Sequence, residues 1–373
     1  MSPQILRGIG SVFDRAGRWP VHQLRRITLN LEKLCPVHRS FIAMNGAQIL
    51  IAHRAFSVLM VGPPAEIVNE QLLAHLLSLI EQEAKNMAKV WLITGSGNGL
   101  GRDIAEAALA AGDTVVAGAR RLEELNALVE QYGERVTPVK LDVREEAAAK
   151  AAVQTALDKY GRLDVLVNNA GYGYIAPFEQ MTSEQFRDVI ETCLFGVVYT
   201  TRAAVPVMRK QKSGHIFQVS SIGGRITMPG NSPYHAAKWA VGGFSDSLAA
   251  ELAPLGVKVC SLEPGGIRTN WAQRASEDSP EVMPEYEESV GSIYKLLAAI
   301  RGKAESDPKR IAAVVVKLAN AEDVPKRLIL GKDAEILVKN VESARAEEAA
   351  KYRELTLSTV FPDAPVIPGL PNN

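Results

Sequence analysis

The chain is poor in cysteine: 373 residues hold three, Cys35, Cys193 and Cys260, with no CxxC or Cys/His spacing among them. That scarcity argues against a disulfide framework and a structural zinc site, so no metal is expected, and it fits a reducing, cytoplasmic setting. Net charge is missing too, because 42 Lys and Arg offset 42 Asp and Glu. Without a basic excess, nothing draws the chain to nucleic acid or an anionic membrane, and a small-molecule substrate is the expected partner. Long apolar runs are also lacking. The best candidates are cut by His53, Arg54 and the Pro63-Pro64 pair before they reach the roughly 18 residues a spanning helix needs, so no membrane span is expected.

What is present is apolar content of 47%, enough for a large core. Residues 1–86 stand apart, with four of the six histidines (His22, His38, His53, His75) and no hydrophobic period until about residue 66. From there Ile67, Leu72, Leu73, Leu76, Leu77 and Ile80 predict one amphipathic helix over residues 66–86. Arg7, Arg15, Arg18, Arg25 and Arg26, with Asp14 the only acid among them, also match a mitochondrial presequence. The preferred reading is a poorly ordered or appended extension, or an overlong start, with the folded domain running over residues 87–373.

From Lys89 onward short apolar runs alternate with helical stretches. Strands are expected at residues 90–94, 114–117, 136–141, 163–167, 215–219, 257–262 and 327–330, with long helices at 183–210 and 232–255. This alternation predicts an α/β fold: a single Rossmann-type doubly wound parallel sheet with helices on both faces. The pattern lapses over residues 265–308, where Pro280, Pro284 and acidic residues cluster. Lying past the carboxyl end of a strand, that segment is expected to be a mobile substrate lid rather than a solvated acidic surface.

Between the first strand and its helix runs Thr94-Gly95-Ser96-Gly97-Asn98-Gly99-Leu100-Gly101. Glycines let the turn tighten, and the helix N-terminus offers amides to a pyrophosphate. The second strand ends in Ala119-Arg120-Arg121 instead of an acid, so charge there suits a 2′-phosphate and NADP(H) is favoured over NAD(H). Asn168-Asn169-Ala170-Gly171 after the fourth strand is expected beside the adenosine ribose, and Asp142-Val143 after the third beside adenine. Further along, Tyr234 lies four residues before Lys238 in an expected helix, so both leave one face, and Ser221 ends the fifth strand within reach. A phenol beside an ammonium is a poised acid, its pKa expected to fall.

These motifs, with Pro264-Gly265-Gly266-Ile267-Arg268-Thr269, make residues 87–361 resemble the short-chain dehydrogenase/reductase family, in its compact single-domain branch. A looser likeness is to 17β-hydroxysteroid and retinol dehydrogenases. The resemblance implies Tyr234 as acid and base, Lys238 on the nicotinamide ribose, Ser221 on the substrate oxygen, and Thr269 at the carboxamide. It also implies cofactor contacts from Gly95, Ser96, Gly99, Leu100, Gly101, Arg120, Asp142, Val143, Asn169, Gly171, Pro264, Gly265 and Ile267, and a homodimer or homotetramer. The implied function is an NADP(H)-dependent oxidoreductase interconverting a carbonyl and an alcohol. One position departs: Cys193 stands where the family usually has an asparagine that kinks its helix and relays protons to the lysine. Slower turnover is therefore expected, and the alternative is a dinucleotide-binding protein that has lost catalysis and acts by interaction.

Overall fold

The computed structural model describes residues 88–277, 279–300, 302–361 and 364. The expected extension over residues 1–86, with its helix, lies outside the described residues. All elements below belong to one compact unit, Lys89–Arg209 with Ser213–Asn373, apart from the end of one helix.

Seven parallel strands form one sheet in the order β3-β2-β1-β4-β5-β6-β7. They are β1 (Val90–Thr94), β2 (Thr114–Ala119), β3 (Val136–Lys140), β4 (Val165–Asn168), β5 (Gly214–Val219), β6 (Val257–Pro264) and β7 (Arg327–Leu330). Each residue of β1 is buried, as a central strand covered on both faces requires. Its side chains alternate. Trp91 and Ile93 join a core with α1 (Gly99–Ala110), while Val90 and Leu92 join a second core on the opposite face with α3 (Glu146–Tyr160) and α5 (Gly196–Gln211); α2 is Asn126–Tyr132. In α1 the buried Leu100, Ile104, Ala108 and Leu109 recur at helical spacing on the side facing the sheet. The Ile311, Ala312 and Val315 side chains of a later helix, Pro308–Ala319, complete that core.

The stretch read as one helix over residues 183–210 is three pieces. After a capping box at Thr182 and Gln185 comes α4 (Ser183–Ile190), then a π-helical turn (Glu191–Phe195), then α5. Beyond β5, α6 (Ser232–Leu252) enters with Pro233 in its first turn, where a missing N–H costs nothing. The segment expected to be irregular over residues 265–308 is largely helical: α7 (Trp271–Glu277), a 3₁₀ turn (Pro284–Tyr286), a π turn (Glu287–Gly291) and α8 (Ser292–Ile300). Prolines and acids between these short pieces mask their periodicity. Then come α9 (Pro308–Ala319), α10 (Lys332–Lys351) and α11 (Arg353–Leu357). None of these three is expected from the sequence pattern; α10 buries only Ala334 and Val338, leaving no apolar stripe. Among the described residues no helix is long and apolar enough to cross a membrane.

Candidate active site

In this strand order the chain reverses direction of travel between β1 and β4, and their carboxyl ends open a crevice there. The Gly-rich turn after β1 lines it. Gly95 and Gly99 take φ of +68° and +57°, the left-handed region. Gly101 is needed for a different reason: a Cβ there would lie 2.3 Å from Asn169 Nδ2 and 2.4 Å from the Gly95 carbonyl. The turn and the opening of α1 form a cradle of backbone amides, which fits a dinucleotide phosphate.

Several residues expected to meet cofactor through their side chains are committed to the scaffold. Buried Ser96 donates its hydroxyl to the Ile93 carbonyl at 2.7 Å and its amide to the Gly118 carbonyl at 2.9 Å, so it pins the turn to β1 and β2. Asn169 donates its carboxamide to the Thr94 and Gly95 carbonyls at 3.0 and 3.2 Å, bracing the turn from β4. Asn168 is held by Thr201 and Gln218 at 2.9 and 2.8 Å, below the crevice. Asp142 accepts from Arg144 Nη2 at 2.7 Å and from the Arg144 amide at 3.0 Å; that guanidinium holds its carboxyl below the usual range. Leu100 and Val143 are buried, Val143 packing against Gly196. Arg120 adds its charge to the surroundings of Asp142 and Tyr172. Arg121, absent from the expected contacts, is the one that lines the cavity beside Gly99, and it pairs with Glu124.

The far wall comes from the loop after β6. Gly265 donates to the Leu330 carbonyl at 2.9 Å and Gly266 to Asp333 Oδ2 at 2.7 Å, so Pro264 and Gly265 are fixed by β7 and the start of α10. Ile267 bridges to Ser306, and the Thr269 methyl faces Gly99, 3.9 Å from where a Cβ would sit. Between the two walls lies a cavity of about 370 Å³, lined by Asn98, Gly99, Arg121, Arg268, Thr269 and Arg274 among others.

The three side chains expected to do the chemistry converge. Ser221 caps the 3₁₀ turn Ile222–Gly224, accepting from the Gly223 amide at 3.0 Å, and its hydroxyl lies close enough to the Tyr234 phenol to pull that group's pKa down. Tyr234 and Lys238 are 8% and 4% exposed, and the ammonium lies 5.5 Å from the phenol ring centroid while donating to the Val219 carbonyl at 2.7 Å. The expected fall in the Tyr234 pKa does not occur. Burial pushes it up, more than the Ser221 hydroxyl pulls it down, and the Lys238 ammonium makes no resolved contribution. Burial in turn lowers the Lys238 pKa.

Cys193 sits on the π turn between α4 and α5, fully buried, its thiol donating to the Tyr172 carbonyl at 3.2 Å. A Cβ on Gly171 would lie 3.3 Å from its sulfur and 3.6 Å from Lys238 Nζ, so thiol and ammonium are neighbours beside Gly171. The helix distortion thus persists with cysteine in place, and what the thiol lacks is a carboxamide's hydrogen-bonding capacity.

Trp271, expected only as a lid residue facing a partly apolar ligand, and His235, which the sequence did not single out, complete the site. Trp271 packs on the Tyr234 ring, centroids 5.1 Å apart, and lies so close to Gly173 that a Cβ there would be 2.5 Å from the indole. His235 bonds through Nδ1 to the Gly223 carbonyl at 2.8 Å and accepts at Nε2 from the Met228 amide at 3.1 Å, stapling the loop after Ser221 to α6. Since Nε2 accepts, the ring is neutral with its proton on Nδ1, and burial lowers its pKa. Its place directly after Tyr234 was the available signal.

The sequence profile described as short chain dehydrogenase matches residues 89–280. Oxidoreductase BOA17 of Botryotinia fuckeliana is 47% identical over 274 residues, 73% of this chain and all of that protein. A short-chain dehydrogenase from Streptomyces avermitilis, known from its crystal structure, superposes with a TM-score of 0.68 at 38% identity, over 74% of this chain and all of that one. A metagenomic short-chain oxidoreductase solved in complex with NADP is similar at a TM-score of 0.53 and 27% identity, over 65% of this chain and 96% of that one. With half the chain under the profile and a relative matched end to end, the protein belongs to the short-chain dehydrogenase/reductase family of NAD(P)-dependent oxidoreductases.

Proposed function

We propose that the chain interconverts a carbonyl and an alcohol with NADP(H), using Tyr234 as the acid and base. The observation that carries this reading is the convergence of the Ser221 hydroxyl, the buried Tyr234 phenol and the buried Lys238 ammonium, near the crevice that the Gly-rich turn lines. A nicotinamide cofactor bound there would give or take the hydride. Residues at hand to hold it are the amides of Gly99, Leu100 and Gly101, with Gly95, Gly171, Thr269 and the loop from Pro264 to Ile267 shaping its channel.

The chain's own part is proton handling and orientation. Raised by burial, the Tyr234 phenol keeps its proton at neutral pH. It is thereby ready to give that proton to a substrate oxygen in the reductive direction, while the Ser221 hydroxyl donates a hydrogen bond to the same oxygen. In the oxidative direction the phenolate must form, so oxidation should accelerate as pH rises. Lys238, held by Val219, supplies the fixed positive charge that favours this phenolate once the site is occupied.

NADP(H) preference rests on Arg120 and Arg121 following β2 with no acid at Ala119, and the NADP-bound relative supports it. Trp271, Tyr172 and Tyr174 around Tyr234 favour a partly apolar carbonyl compound. The segment over residues 265–308 is proposed as the substrate lid, helices α5 and α6 as the faces of a homodimer or homotetramer, and the cytoplasm as the setting. Chemistry is assigned to residues 87–373. A panel of ketones, aldehydes and secondary alcohols, tested with both cofactors on the full chain and on protein beginning at Met87, examines all of this. Equal carbonyl-dependent NADPH oxidation by the two, exceeding that with NADH, is the expected result; dinucleotide binding without turnover of any substrate would favour the binding-protein reading.

A further inference from the structure

The cavity between the Gly-rich turn and the loop after β6 has an unusual charge. Arg121, Arg268 and Arg274 line it with a single carboxylate, Asp103, in a chain whose formal charges cancel overall. Asp103, whose pKa burial and then the nearby Glu106 raise, is one carboxylate against three guanidiniums, so the lining stays net positive. Arg121 is partly neutralised by Glu124. The other two have no carboxylate partner among the described residues. Arg268 spends Nε and Nη2 on the Ala304 carbonyl, at 3.2 and 3.1 Å, which fixes the guanidinium plane and leaves Nη1 uncommitted. Among the described residues the Arg274 guanidinium has no hydrogen-bond or ion-pair partner.

Both belong to the segment that also carries Trp271, three residues before Arg274 on α7 and packed on the ring of Tyr234. Opposite them across the cavity stand Asn98 and Gly99 at the opening of α1. We propose that Arg268 and Arg274 clamp the diphosphate of the dinucleotide from the lid side, facing the amides of the Gly-rich turn, so that binding of this dianion fixes α7 and with it Trp271 over Tyr234. The inference rests on the oxidoreductase reading above and adds to it a phosphate site on the lid. Two guanidiniums without a carboxylate partner among the described residues match the two negative charges of a diphosphate, and a fork of donors suits phosphate oxygens.

The test is calorimetric titration of NADPH, NADH and ADP into the full chain and into Arg268→Gln, Arg274→Gln, Arg274→Lys and the double glutamine variant. Each single glutamine variant should bind all three ligands about tenfold more weakly, a loss of about 1.4 kcal/mol. The double variant should lose more, with a shallower salt dependence, and Arg274→Lys should recover part of the loss. Since exposed arginines are being changed, ligand-free thermal midpoints should stay at the wild-type value. If one falls, affinities for the two Arg274 variants decide, because a folding defect would affect ligands regardless of charge and would not be relieved at low salt. Unchanged affinities would overturn the clamp while leaving the oxidoreductase reading intact. A loss confined to NADPH would overturn it as well, moving these arginines to the 2′-phosphate. Wild-type protein that binds none of the three would remove both readings at once.

Discussion

With the loop after β6 set aside, the β1–α1 wall and the β5–α6 wall of the site use their motif residues in opposite ways. On the β1–α1 side the polar side chains are consumed by the scaffold: Ser96 by Ile93, Asn169 by Thr94 and Gly95, Asp142 by Arg144. What remains for a ligand is backbone, shaped by glycines. On the β5–α6 side, the Ser221 hydroxyl, the Tyr234 phenol and the Lys238 ammonium lie together, and it is functional groups that this side offers. The comparison separates two meanings of a motif. One set of residues makes a shape, and the other makes a reaction, so substitutions on the two sides should fail differently.

The largest effect is expected on the reactive side. Ser221→Ala removes a donor to the substrate oxygen and should cost about 100- to 1,000-fold in kcat with dinucleotide affinity kept, measured by steady-state kinetics beside binding titration. On the shaping side, Gly101→Ala forces a methyl onto Asn169 and Gly95. It should cost about 1–3 kcal/mol of stability, read by urea unfolding, and weaken dinucleotide binding. If it instead lowered kcat alone, the distinction between the walls would break.

A third expectation concerns neither wall and serves as their control. His215, on β5 and stacked near Phe217, has its pKa pushed down to about 4, chiefly by burial and then by Lys258. The unfolded chain takes up a proton near pH 6.5 while the native chain does not, so stability is full above that pH and falls as pH drops toward 4. In His215→Phe the loss between pH 7 and 4.5 should be smaller by about 1–3 kcal/mol, with the activity profile at neutral pH unmoved. The smallest effect belongs to Cys193→Asn. Restoring a carboxamide beside Lys238 should raise kcat several-fold with cofactor affinity unchanged, and an unaltered rate would mean that the thiol is no handicap.

Much of this was legible before any coordinates. Strand and helix alternation yields the sheet, because central parallel strands such as β1, buried on both faces, read as apolar runs, and the short apolar run over residues 328–330 marks the edge strand β7. Tyr234 and Lys238 were readable because four-residue spacing on a helix is a geometric statement in itself. The partners of Asn169 and Asp142 were not, since which hydrogen bond a carboxamide or carboxylate makes depends on packing between strands distant in sequence. Nor was the direction of the Tyr234 pKa shift: sequence revealed the ammonium nearby but not the depth of burial that outweighs it. Helices α7 and α8 escaped because each is too short to develop a period, and α10 because it is mostly solvated.

The central claim is that Tyr234 supplies the reaction while the opposite wall supplies the binding. It is tested most directly by titrating NADPH into wild-type and Tyr234→Phe protein and following carbonyl-dependent NADPH oxidation on the same samples. The account predicts affinities equal within about twofold and a rate lower by about 100- to 10,000-fold. A Tyr234→Phe protein that turned over at a rate near wild type, or lost NADPH binding along with activity, would contradict it.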